Sequence, residues 1–232
     1  MKMLLGICLV ILVGCGGHST GKPTATFQDY FNYANGTQIN GQVSATGQKW
    51  GVTGYNPQSA QVWSKKLVFY PESKKPSGPW YAFVDTGSSV RSYSATFTLA
   101  ANGGAGDCNI AAMIIYADPN NITNRMIHTQ VNCAGVVLTW WDEKSQEQFP
   151  QFSSSASGNW VSNMKMTAGN TYTVKLSWDG SEWVHFTGPD GGTLSFHDPH
   201  FASVGGSGII WEEGSDPTDT LYCELSAITT TD

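Results

Sequence analysis

Four short stretches carry the side chains that could do chemistry. If Ile127-His128-Thr129-Gln130 is a strand, its alternation puts His128 and Gln130 on one face and Ile127 with Val131 on the other. An imidazole and an amide side by side can bond a ligand or relay a proton. They can equally be an outer face that hydrogen-bonds only to itself. Arg125 faces the opposite way by the same count. His197-Asp198-Pro199-His200 offers two imidazoles, but no third or fourth ligand follows at metal-site spacing, so a capped turn is expected and a metal is not. Glycoside cleavage needs two carboxyl groups flanking the scissile bond. The adjacent carboxylates of Glu212-Glu213-Gly214-Ser215-Asp216 would point to opposite faces of a strand, so the expectation is a solvated strand end before a turn. Asp142-Glu143-Lys144, after Trp140-Trp141, reads as a turn too, and no Gly-x-Ser-x-Gly elbow exists. No catalytic set is assigned.

The fourth stretch is aromatic. Sugars dock on exposed rings, where C–H groups pack on the face and amides or carboxylates bond the hydroxyls. Of nine Trp, the candidates for such a platform are Trp63, Trp80, Trp140, Trp141, Trp183 and Trp211. Trp183 sits in the hairpin around which the chain is best read. Tyr172, Val174, Leu176 and Trp178 alternate with Thr171, Thr173, Lys175 and Ser177, and Asp179-Gly180 supplies turn chemistry. A three-residue loop sets Val184 opposite Leu176 and frees Trp183 and His185 for the other face. A two-residue loop buries Trp183 and His185 instead, since a one-residue slip exchanges the faces.

These residues must be carried by strands. The chain has 26 Gly, many Thr and Ser and few charges, the composition of a β-rich extracellular protein. Strands are expected at Phe27 to Tyr33, 60–70, 79–84, 90–99, 135–141, 159–165, 205–211 and 219–230. No window keeps a helical period, and at most one helical turn fits near Pro199 to Ala202. Many short antiparallel strands in one chain mean a sandwich or jelly roll. A hairpin from Cys108 to Ala117 and Asn124 to Cys133 pairs Ile110 with Val131 and Ile114 with Ile127. It also sets Cys108 against Cys133, which in an exported protein suggests a disulfide; two buried thiols are the alternative. Cys223, in phase with Leu221 and Leu225, reads as a buried thiol outside any bridge.

The first 14 residues stand apart. Lys2 precedes an apolar run from Met3 to Val13, too short to span a bilayer and of signal-peptide length. Leu12-Val13-Gly14-Cys15 resembles the lipobox of bacterial lipoproteins, which implies cleavage before Cys15 and lipidation there; an ordinary secretory signal is the alternative. Gly16 in place of Asp implies the outer membrane in a Gram-negative source, and otherwise the outer face of the cell membrane. Residues 15–26 then form a tether and residues 27–232 one domain. The mature charge is about −7 with no Lys/Arg stripe, so nucleic acid is not an expected partner.

Asp29-x-Phe31, Asn35-Gly36-Thr37-x-Ile39-x-Gly41 and Gly47-x-x-Trp50 resemble the opening of concanavalin A-like lectin/glucanase (laminin-G-like) jelly-roll domains. Asp85-Thr86-Gly87-Ser88 with Val90-x-x-Tyr93-x-Ala95-x-Phe97 is similar to their middle block. Tyr172, Asp179-Gly180, Asp198-x-x-Phe201 and Gly205-Gly-x-Gly208 resemble their closing strands. The resemblance covers about residues 27 to 230 and implies an all-β, antiparallel β-sandwich jelly roll. Glucanases of this group carry Glu-x-Asp-x-x-Glu on one strand, and no such run exists here. Lyases of this group use Arg, His, Gln and Tyr, of which His128 and Gln130 are recognisable. No cofactor is implied, although the fold can hold structural calcium at an edge, using Asp29 or Asp118. The expected function is therefore non-catalytic glycan binding at the cell surface, by a concave face carrying Trp183, His185, Trp141, His128 or Gln130. Polysaccharide cleavage by a lyase or glycoside hydrolase is the first alternative. A structural or protein-binding lipoprotein is the second.

Overall fold

The structure, a computed structural model, describes residues 25–54, 58, 60–69, 80–87, 89–101, 109–122, 124–132, 136–143, 157–160, 166–213 and 221–232. Its early strands are β1 (Ala25–Asp29), β2 (Thr37–Gln38), β3 (Trp50–Gly54), β4 (Ala60–Trp63), β5 (Lys66–Phe69) and β6 (Trp80–Asp85). The middle of the chain forms β7 (Ser92–Ala101), β8 (Asn109–Tyr116), β9 (Arg125–Asn132), β10 (Val136–Glu143) and β11 (Ser157–Trp160). Then come β12 (Thr171–Trp178), β13 (Trp183–Thr187), β14 (Thr193–His197), a 3-10 turn (Pro199–Ser203), β15 (Gly208–Glu213) and β16 (Leu221–Thr231).

Two antiparallel sheets result, as a jelly-roll sandwich requires. One has nine strands in the order β14-β13-β12-β7-β16-β5-β4-β2, with β1 also paired to β16; the other runs β11-β10-β9-β8-β15-β6-β3. One large apolar core fills the space between them. From the nine-stranded sheet it takes Phe97, Val174, Leu176, Val184, Phe186 and Leu225, and from the seven-stranded sheet Met113, Ile115, Ile127, Ile209 and Trp211. Period-two alternation is the cause: each strand presents every second side chain to this space.

The opening block is tied by one carboxylate. Asp29 is buried, and its Oδ1 accepts the Phe31 N–H at 2.7 Å. Its Oδ2 accepts Trp50 Nε1–H and the Tyr33 hydroxyl, each at 2.7 Å. Three donors satisfy the buried charge and hold Trp50 edge-on to Phe27. Burial and Asp29 together push the Tyr33 phenol far above its usual range. Both Asp29 oxygens are engaged by protein donors. Asp118 Oδ1 accepts the Asn120 N–H in its own turn. No cluster of three metal-ligating side chains occurs among the described residues.

The expected strands need correction in four places. The 60–70 strand is a hairpin, β4–β5, turning through Ser64 and Lys65, both at positive φ (51° and 60°). The first strand ends at Asp29, because Phe31 adopts φ 50° and turns the chain. The strands β2, β3 and β14 are additional to the expected ones. In the β8–β9 hairpin Ala111 pairs Val131, Ile114 pairs His128 and Ile115 pairs Ile127, one position off the expected register. An irregularity between Asn109 and Ala111 absorbs the slip, which bulges allow. Cys108 and Cys133 lie outside the described residues, as does the bridge expected between them. Cys223 is a buried, unbridged thiol.

Candidate functional site

The two outward faces of the sandwich are chemically unlike. On the nine-stranded sheet the outer rows are mostly threonine, serine and charge, with the exposed rings of Trp183 and Trp63 towards its two ends. Thr96 pairs with Thr173, Thr98 with Thr171 and Thr187 with Thr193 through hydroxyl–hydroxyl bonds of 2.8–3.1 Å. Lys66 bonds Glu224 at 2.6 Å on the same side. That is the wet face an antiparallel sheet normally presents.

The outer face of the seven-stranded sheet is different. Ala112, Ile114, Tyr116, Met126 and Ile210 form a second apolar cluster with Tyr81, Phe83 and Ile122 packed against it. These residues alternate with the ones that face the main core, so the cluster lies on the far side of the sheet. Two glycines shape it. A Cβ on Gly51 would meet the tip of the Phe83 ring at 2.2 Å, and one on Gly208 would meet the Tyr116 hydroxyl at 2.3 Å. Each ring therefore lies across the neighbouring strand, over a position with no side chain. Phe83 and Tyr81 stay partly exposed above Ile114 and Ile210, which are fully buried.

Polar groups are set into this apolar floor. His128 is 5% exposed and Glu212 9%. They face each other diagonally across β8, with His128 Nε2 3.5 Å from Glu212 Oε2. Gln130 shares the row of Ala112 and Glu212 and is partly exposed. A carboxylate nearby favours an imidazolium, but burial outweighs it here and pushes the His128 pKa down to about 3. The ring is thus neutral at neutral pH. At the end of the face, burial and the negative charge of Asp85 push the Tyr116 phenol up. The arrangement is an apolar floor with one neutral imidazole, one carboxylate and one amide, the mixture that packs a sugar's C–H face and bonds its hydroxyls.

The residues singled out in the sequence lie in three places. Trp183 and His185 are on the outer face of the nine-stranded sheet, where Trp183 is 44% exposed and tilted against the His197 ring at 4.7 Å. His185 Nδ1 meets Ser195 Oγ at 2.9 Å. The hairpin follows neither expected register: Trp178 pairs Val184 and Leu176 pairs Phe186. The loop is two residues longer than the three-residue version, which keeps its parity, so Val184 and Phe186 are buried and Trp183 is free of the core. Trp141 packs at the border of the main core and stacks on His200 at 4.4 Å. His128 and Gln130 share the seven-stranded sheet's outer face, opposite Ile127 and Val131 as the alternation implies, and His128 is buried there. Of the five, Trp183 and His185 share the outer face of one sheet, His128 and Gln130 that of the other, and Trp141 stands apart from both pairs. Trp211 is core, Trp63 is 40% exposed at the other end of the nine-stranded sheet, and the side chains of Trp80 and Trp140 lie outside the description.

Two further expectations resolve cleanly. His197-Asp198-Pro199-His200 is the capped turn: Asp198 Oδ1 accepts the His200 N–H at 2.9 Å, and His197 Nε2 meets Glu182 Oε2 at 2.9 Å. Glu212 is not a solvated strand end, since β15 continues past it and its neighbours bury it. The sequence reading missed Tyr81, Phe83, Tyr116 and Glu212 as members of one face. Gly51 and Gly208 were the available signal, because a strand glycine marks close approach of another group.

No family profile and no curated protein matches the sequence. Solved structures do match the fold. The exoplasmic/lumenal domain of VIP36, metal-free form, aligns over 90% of this chain and 93% of its own, with TM-score 0.58 and 7% identity. A Lotus tetragonolobus seed lectin aligns over 78% and 92%, with TM-score 0.51 and 8% identity. A structure described with endo-acting O-glycanases that human gut microbiota express to initiate mucin breakdown aligns over 90% and 99%, with TM-score 0.57 and 9% identity. These likenesses show an antiparallel jelly-roll sandwich.

Proposed function

We propose that the domain recognises carbohydrate, without cleaving it, through the outer face of the seven-stranded sheet. The observation that carries this reading is the contrast between the two outer faces of one molecule. The middle of the nine-stranded sheet has the threonine character of a wet face, with the exposed rings of Trp183 and Trp63 towards its ends. The opposite face instead keeps Tyr81 and Phe83 partly open over an apolar floor, beside Gln130, His128 and Glu212. Partly exposed aromatic rings beside a few polar groups suit a sugar-binding surface. A lectin among the structures of like fold agrees with this reading. Binding of the full chain to a glycan array tests it, with Tyr81→Ala and Gln130→Ala as variants. Each should weaken binding about tenfold or more, the loss of roughly 1.4 kcal/mol of stacking or hydrogen bonding. Unchanged binding in both would place the site elsewhere, with Trp183 and His185 the next residues to change.

A second reading, glycan cleavage on the same face, is favoured by the buried His128–Glu212 contact and by the O-glycanase structure of like fold. Release of reducing ends, or of unsaturated uronate, by the wild-type chain would establish it in place of simple recognition.

The proposal extends to location. The Leu12-Val13-Gly14-Cys15 stretch supports export and anchoring through lipidated Cys15, on the outer membrane of a Gram-negative source or otherwise on the outer face of the cell membrane. Metabolic labelling with palmitate should mark the wild type and not Cys15→Ser. Equal labelling of both would rule out that thiol.

A further inference from the structure

We infer that this face selects neutral and amine-bearing sugars and rejects acidic ones, with Glu212 as the group that decides. The inference rests on the proposed carbohydrate site and adds the class of sugar it accepts. Among the described side chains, the row that carries Tyr81, Phe83 and Gln130 holds two carboxylates, Asp85 and Glu212, and the one Lys or Arg on the sheet's strands, Arg125, is not in that row. Arg125 stands at the very start of β9, in register with Glu143, and in the row that alternates away from His128 and Gln130. Lys49 precedes the edge strand β3, at its bridge to Val43. Lys66, Lys175 and Arg91 belong to the other sheet or border it.

The distribution has a chemical consequence. Binding a uronate, a sulfate ester or a sialic acid in an apolar pocket takes a guanidinium, an ammonium or an imidazolium to replace the water it loses. Among the described residues the face holds none of the first two, and its one imidazole is neutral. Glu212 lies in the middle of the sheet, 9% exposed, beside an apolar floor that raises the strength of its field. A second anion close by meets repulsion that salt screens poorly, because the pair is partly buried. A hydroxyl or an ammonium instead finds an acceptor. Negative selection of this kind needs only one misplaced charge.

The test uses the full chain and oligosaccharides of equal length and differing charge: neutral hexose, N-acetylated, free-amine, uronate and sulfated series. Neutral or free-amine oligosaccharides should bind at least about tenfold more tightly than the uronate and sulfated series. The gap should persist from 50 to 300 mM salt, roughly the range over which exposed charges are screened out. Glu212→Gln, which keeps shape and hydrogen bonding, should shrink that gap to about threefold or less. Glu182→Gln, the same change of net charge on the opposite face, should leave it intact. Thermal melts of both variants exclude misfolding. Acidic sugars binding as well as neutral ones, or a gap that Glu212→Gln does not move, overturns the inference while leaving carbohydrate recognition standing. Binding to no oligosaccharide of any charge overturns the recognition itself and the inference with it.

Discussion

Single residues carry two of the strongest commitments in this molecule. Asp29 accepts three hydrogen bonds in a buried site, and truncating it strands Trp50 Nε1–H and the Phe31 N–H without an acceptor. Asp29→Ala should cost about 3–5 kcal/mol, read from urea unfolding with Trp fluorescence. A loss under about 1 kcal/mol would mean that water replaces the carboxylate. His128 makes the second commitment, with a sign that can be worked out. Its ring titrates near 6.5 in the unfolded chain and is pushed down to about 3 in the fold. Between these values the unfolded state takes up a proton that the folded state refuses. Stability therefore falls as pH drops from about 6.5 towards 3 and is unaffected by this group above that window. His128→Gln should flatten the acid limb, gaining on the order of 2 kcal/mol relative to wild type between pH 7 and pH 4.5. Parallel stability–pH curves for the two proteins would show that His128 does not stay neutral. Neither residue's environment was legible in its local sequence. The Asp29-x-Phe31 and Trp50 pattern marked the first as important through resemblance, whereas the burial of His128 comes from strands far away in the chain.

Elements show the same division between pattern and context. Alternation located β7, β9, β12 and β13 well, because each buries one face in the core and period two is then visible in the residues. It failed at β4–β5, where the turn is Ser64-Lys65 instead of a glycine-containing pair. Both residues hold positive φ, a conformation that costs L-residues roughly 1 kcal/mol each. Ser64→Asn with Lys65→Gly should relieve it and stabilise the protein by about 1 kcal/mol, seen as a raised Tm. No change would show that the fold around the hairpin, and not the turn, sets its conformation. Gly208 illustrates the converse. It falls within the strand expected at 205–211, but only the fold sets the Val84 carbonyl and the Tyr116 ring against it. Gly208→Val should displace that ring and destabilise by about 2–3 kcal/mol, by overpacking, with loss of any glycan affinity. Retention of full stability would mean that both the ring and the Val84 carbonyl, 2.2 Å from the added Cβ, move aside freely.

At the scale of the molecule, the last strand lies in the middle of the nine-stranded sheet. β16 is flanked by β7 and β5, and pairs β1 as well. The fold cannot be completed until the C-terminal residues arrive, so deletion from Leu221 should abolish cooperative unfolding and leave the chain protease-sensitive. A folded truncation would show that β7 and β5 can close without it. Pairing of the first strand with the last also predicts slow folding, since long-range contacts pay loop entropy before they are rewarded. What the sequence by itself determined was the class: many alternating strands, glycine-rich breaks and no helical period force an antiparallel sandwich, because only two packed sheets bury that many half-apolar strands. It also determined which face of β12 is wet and which dry, whereas for β13 it left two opposite registers open, and the parity was chosen by the fold. What only the tertiary structure decided was the composition of the site. Tyr81, Phe83, Tyr116, His128, Gln130 and Glu212 come from four strands, β6, β8, β9 and β15, and their common face exists only once register has placed those strands side by side. A single strand shows which residues share a side, but not which other strands lie beside it. That order is set by core packing and loop closure across the whole chain, and it lays the rings of Phe83 and Tyr116 over Gly51 and Gly208.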